Sequence, residues 1–265
     1  MKKRPIIIIA AVAALSVSVL LLSRNTVAYL MDTEAADNVV QIGQVEVSLD
    51  EGSFDPTSSA PIVEIGRIVN KSPKLKNTGK NDEYVFLQVD VPKENVTLLY
   101  EDTVTTGANQ HKEGEKIPPG TQQDVEIFKL IATGANNANL TFTPADSTRV
   151  IGYNVGNAST NGWVHLSSVT SDNSNTYIFG YNMKLKVNAE TKTLFDKVQL
   201  KSFIDGEVAD NTTTSKNETV KVTAYAIQAD DLNLTGVDGT DGEYLDATDL
   251  GNIWKIVNNK NIGNG

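Results

Sequence analysis

Thr219-Val220-Lys221-Val222-Thr223-Ala224-Tyr225-Ala226-Ile227-Gln228 alternates apolar and polar side chains over most of its length. Val220, Val222, Ala224 and Ala226 share one face while Lys221, Thr223 and Tyr225 share the other, the period-2 pattern of a half-buried antiparallel strand. Ile227 places a further apolar side chain on that second face. Working outward, runs equally rich in Val, Ile, Tyr, Phe and Thr occupy residues 45–49, 84–91, 124–132, 163–169, 176–187 and 194–203. Between them lie Gly-, Pro-, Asn- and Asp-rich stretches at 52–61, 77–82, 103–121, 134–147, 171–175 and 205–217, the composition of turns and loops. Residues 172–175, between Val169 and Tyr177, read as a hairpin loop. Helical spacing appears only near the C-terminus, where Leu250, Ile253, Trp254 and Val257 fall on one face after Asp249, a candidate N-cap. The pattern predicts an all-β protein: an antiparallel β-sandwich with long loops and a short C-terminal helix.

The N-terminus has a different character. Lys2, Lys3 and Arg4 precede an uncharged run from Pro5 to Ser23 dominated by Ile, Ala, Val and Leu, a charged n-region followed by an apolar h-region. As a helix, residues 6–22 would span roughly 25 Å, slightly less than the ~30 Å hydrocarbon core of a bilayer. Thr26 and Ala28 supply the small residues that a signal peptidase reads, which predicts cleavage between Ala28 and Tyr29. An uncleaved anchor with its basic end in the cytoplasm is the alternative. Both place the remainder outside the cell. The expected organisation is a signal peptide at 1–28, an N-terminal segment at 29–42 and one domain at 43–265, with a tail from about 230.

Loss of residues 1–28 removes four of the 23 basic residues and none of the 33 acidic ones, taking the formal net charge from −10 to −14. Such a polyanion lacks the clustered Lys and Arg that phosphate neutralisation demands, which argues against a nucleic-acid partner. The chain has no cysteine, and with it no disulfide, thiolate metal site or cysteine nucleophile. An exported domain without disulfides points to a bacterial source, most simply a Gram-positive one.

Catalytic chemistry is hard to find. The two histidines, His111 and His165, are far apart in sequence and neither belongs to a His-Glu-x-x-His pair, the helical spacing that puts two imidazoles on one zinc. His111 reads as a loop residue and His165 as a strand residue. No Gly-x-Ser-x-Gly elbow accompanies them. Asp238, Asp241 and Glu243 gather hard oxygen ligands on a Gly-rich loop, but their spacing departs from the EF-hand pattern, so they are weak calcium candidates beside a solvated acidic loop. No cofactor is expected.

Several segments, taken in order, carry a resemblance. They are Ala28-Tyr29-Leu30-Met31-Asp32-Thr33-Glu34 with Asn38; Ile42-Gly43-Gln44-Val45-Glu46-Val47-Ser48-Leu49; and the Lys-x-Pro, Asn-Thr-Gly and Tyr-Val elements from Lys71 to Val85. Leu194-Phe195-Asp196-Lys197-Val198 and Ala224-Tyr225-Ala226-Ile227-Gln228-Ala229 complete the set. Together they resemble the TasA/camelysin family of surface and biofilm-matrix proteins, exported through a SipW-type signal peptidase. Residues 104–162 match no part of that pattern. The resemblance implies a jelly-roll-like sandwich, a secreted location in the extracellular matrix or at the cell surface, and head-to-tail self-assembly into fibres by donor-strand exchange. It also brings two alternatives, a camelysin-like surface metallopeptidase and a monomeric surface adhesin. The absence of a zinc-ligand motif weighs against an enzyme.

Physical features of residues 29–49 bear on assembly. Val40 and Ile42 share one parity whereas Val45, Val47 and Leu49 share the other, so the apolar face changes across Gly43. Glycine permits a bend or bulge there, which would let 45–49 join its own sheet while 29–42 extends to a neighbour, with Val39, Val40 and Ile42 as apolar anchors. The competing expectation is that 29–41 is a disordered leader or packs on its own domain.

Overall fold

The structure, a computed structural model, describes residues 39–40, 46–51, 66, 68–118, 122–142, 148–204, 219–229 and 244–262. The described residues form an all-β sandwich of mostly antiparallel sheets with one C-terminal helix.

Its organising element is β5 (Glu83–Val96), flanked on one side by β11 (Ser174–Tyr181) and on the other by β13 (Lys221–Gln228), both antiparallel to it. Beyond β11 lies β10 (Trp163–Thr170), joined to it through the turn at Ser171, whose N–H donates to the Ser174 carbonyl. Beyond β13 lies β1 (Val39–Val40), and β6 (Gln122–Glu126) pairs with the far end of β5. A second sheet orders β3 (Ile68–Asn70), β12 (Lys197–Leu200) and β7 (Phe128–Ile131). Two short pairs complete the strands, β2 (Val47–Asp50) with β4 (Lys74–Asn77) and β8 (Asn137–Asn139) with β9 (Gly152–Asn154).

Alternation along β5 explains the packing. Val85, Leu87, Val89 and Val91 enter the main core, where they meet Val222, Ala224 and Ala226 of β13 and Phe179 of β11 on one sheet and Phe128, Leu130 and Val198 on the other. Tyr84 and Phe86 face the opposite way, yet both are buried. The helix α1 (Ala247–Ile262) covers them, placing Leu250, Ile253 and Val257 in a second cluster with Tyr84, Phe86 and Ile227. Trp254 packs between Phe86 and Tyr225, with ring centroids 5.4 and 5.2 Å away. Further along β5 the outer face turns polar: Gln88 accepts from the Tyr225 hydroxyl and Asp90 from the Thr176 hydroxyl.

Several boundaries differ from the sequence reading. Residues 124–132 do not form one strand, because the chain passes from one sheet to the other at Ile127. Ile127 and Phe128 are both fully buried, which a continuous alternating strand could not achieve. The run at 176–187 ends its strand at Tyr181, where the Asn182 side chain accepts from Gly162 N–H and donates to the carbonyls of Asn157 and Thr160. The run at 194–203 pairs as a strand only over Lys197–Leu200, while 84–91 extends to Val96. The helix is capped by Asp246 rather than Asp249: Asp246 Oδ1 accepts from the N–H groups of Thr248 and Asp249 at 2.7 and 2.9 Å, leaving Asp249 inside the first turn. The segment expected as a tail from about 230 thus ends in a helix packed on the main sheet.

Candidate functional site at the sheet edge

Two of the residues expected to anchor assembly, Val39 and Val40, lie at the edge of the main sheet beside β13. β1 runs parallel to β13, with Val39 opposite Ala224 and Val40 opposite Tyr225. On its other side β13 is matched by β5 along all eight residues, from Lys221 opposite Asp90 to Gln228 opposite Glu83. Among the described residues, β1 therefore covers only the middle of that edge. Backbone N–H and C=O groups along an incompletely covered edge are the template for an added strand. β10 forms the other end of the main sheet; its first residue, Trp163, is bridged in parallel by Val155.

Ile42, Gly43, Ala28 and Tyr29 lie outside the described residues, as do Asp238, Asp241 and Glu243. The change of apolar face at Gly43 falls there too. Immediately downstream, the chain is held firmly. Glu46 N–H donates to Glu83 Oε1 at 3.1 Å, and the Glu46 carbonyl accepts from Thr78 N–H at 2.8 Å and from the Thr78 hydroxyl. Glu83 is 1% exposed, and its second carboxylate oxygen has no hydrogen-bond partner among the described residues. Burial pushes its carboxyl up to about 7, against the smaller opposing effect of the Glu46 N–H bond. The chain that precedes β2 thus enters the domain at a carboxylate poised near neutrality.

The histidines occupy separate sites. His111 stacks on Tyr100 with centroids 3.6 Å apart, its Nε2 lies 3.0 Å from Asp102 and its Nδ1 2.8 Å from the Asn109 carbonyl oxygen. The Asp102 hydrogen bond raises its pKa. This loop is ordered around its histidine by stacking and hydrogen bonding rather than merely solvated. His165 sits on β10 as expected, with Nε2 2.8 Å from Ser168 Oγ, and burial lowers its pKa. Among the described residues no three His, Cys, Asp or Glu side chains converge as a metal site.

Two buried polar clusters escaped the sequence reading. Glu126 is fully buried and accepts from Asn175 Nδ2 and the Tyr177 hydroxyl, with Arg149 Nε 3.9 Å away. Near it Lys201 is 3% exposed, and its Nζ has no hydrogen-bond partner among the described residues. No local motif links these residues. Glu126 and Asn175 meet because β6 and β11 flank β5 on opposite sides.

Comparison with protein-family models, with curated proteins and with solved structures finds no match to this chain.

Proposed function

We propose that this protein is a secreted structural subunit of extracellular or biofilm-matrix fibres, assembled head to tail by N-terminal strand donation. The observation that carries the reading is the strand at Val39–Val40 on the β13 edge, which covers two of the eight edge residues. A segment able to pair there in its own subunit has the backbone complementarity needed to pair there in the next. A head-to-tail contact of this kind does not close and so generates filaments. The order of sequence segments shared with the TasA/camelysin family supports the same reading. Processing between Ala28 and Tyr29 by a SipW-type signal peptidase would free residues 29–42 from the membrane, coupling polymerisation to export from a Gram-positive cell. No catalytic role is included.

The test is electron microscopy and sedimentation of the protein that starts at Tyr29. It should polymerise, whereas a variant lacking residues 29–41, or carrying Val40→Asp and Ile42→Asp, should remain a folded monomer. Equal polymerisation of those variants, or a parent that stays monomeric at high concentration, refutes the reading.

A further inference from the structure

Glu126, Asn175 and Lys201 bring a carboxyl group, a primary amide and a primary amine into the interior, and all three residues are buried. Asn175 lies on β11 opposite Val91 of β5, and its Nδ2 donates to Glu126 Oε1 at 2.7 Å. The Tyr177 hydroxyl donates to the same oxygen. Lys201 follows β12 and arrives from the other sheet: its backbone N–H donates at 2.8 Å to the carbonyl of Ile127, the residue next to Glu126. It shares its parity with Phe203, a residue of the main core, whereas Ser202 between them is only half-buried. Of the charged groups that act on the Lys201 amine, Glu126 exerts the largest effect, an attraction ahead of that of Glu101. Each member of the trio keeps one polar atom without a hydrogen-bond partner among the described residues, namely Glu126 Oε2, Asn175 Oδ1 and Lys201 Nζ. Such atoms are unfavourable in a core and rare in native proteins. Joining the amine to the amide would remove the buried charge and one polar group outright.

We propose that Lys201 and Asn175 form an intramolecular isopeptide bond, with Glu126 as the general acid and base. Burial brings the Lys201 amine down to about 8, which makes its neutral, nucleophilic form accessible at ordinary pH. Glu126 takes a proton from the Lys201 ammonium, leaving a neutral amine and a neutral carboxylic acid. The acid donates its proton in a hydrogen bond to Asn175 Oδ1 while the amine lone pair attacks Asn175 Cγ. The Nζ–Cγ bond forms, Glu126 passes a proton from the attacking nitrogen to Nδ2, and the Cγ–Nδ2 bond breaks. Nδ2 departs as ammonia and carries off the remaining proton as ammonium, so Glu126 ends as the carboxylate it began as. No oxidant or co-reactant is consumed. Holding the three groups in one folded interior supplies the proximity that an amine and an amide lack in water. The bond would tie β11 of the main sheet to the chain leaving β12 of the second, whether or not the protein polymerises.

The test is mass spectrometry of the purified, folded protein, intact and after digestion. The parent should be lighter than its sequence mass by one ammonia, and its digest should contain a branched peptide joining Asn175 to Lys201. Lys201→Met, Asn175→Ala and Glu126→Gln should each show the full sequence mass. Glu126→Gln is the sharpest of these, because both bonding partners remain. Should the variants fail to fold, the parent decides alone: the branched peptide supports the bond and its absence overturns it. The proposal is also overturned by a parent of full sequence mass, by loss of ammonia without the branch, as a succinimide at an asparagine would give, or by a folded Glu126→Gln protein that carries the branch as fully as the parent.

Discussion

Replacing Glu83 with Gln should flatten part of the pH dependence of stability. Glu83 has an ordinary pKa of 4.5 and is pushed to about 7 in the fold. Between these values the folded state holds a proton that the unfolded state has released, so stability falls as pH rises and levels off above about pH 7. At about 1.4 kcal/mol per unit the ceiling is ~3 kcal/mol. The span from pH 5 to pH 8 covers only part of this titration, so ~2 kcal/mol is the expected size. Urea unfolding of parent and Glu83→Gln at pH 5 and pH 8 isolates this contribution, because every other titrating group is common to both proteins. The parent should lose ~2 kcal/mol more than the variant on going from pH 5 to pH 8. Identical pH dependence, or a parent that gains stability relative to the variant, would refute the argument that burial governs this carboxyl.

Other expectations are simpler to test. Asp246→Ala should cost ~1 kcal/mol by loss of the cap, and Asp249→Ala less, as read by thermal unfolding. A larger effect at Asp249 would reverse the assignment. At Gly162 a Cβ would meet the Val155 carbonyl carbon and Gly156 nitrogen at 2.5 Å, so Gly162→Ala should destabilise by ~2 kcal/mol or more in denaturant titration. A neutral effect would mean that the backbones can part freely.

The strands that were legible in the sequence are those with one clean buried face. Val220, just ahead of β13, and Val222, Ala224 and Ala226 within it are all buried in the main core, as their parity implies. Ile227, anomalous on the outer face, is explained by α1, which turns that end of the sheet into a second interior. The break at Ile127 was illegible because the run stays apolar while the chain changes sheets, and composition cannot distinguish one buried strand from two. β8 and β9 read as loop because their residues are Asn, Ala, Gly and Tyr, with little apolar alternation to declare a strand. Val39 and Val40 pair with β13 of their own subunit, and the choice of that strand and its parallel sense depend on long-range topology that no local pattern records. Glu83 meets Glu46 across 37 residues, a contact that leaves no local motif.

The place of β5 in the sheet has a consequence for biogenesis. Its partner β13 follows it by more than 130 residues, and β11 by more than 80. The main sheet therefore cannot close until the chain is complete to Gln228, and closing loops of that size before any pairing is formed makes folding slow. Until then β5 lacks the two strands that flank it in the finished sheet. What can form early is local, such as the β10–β11 hairpin closed by the turn at Ser171, so the order of folding is hairpin first and main sheet last.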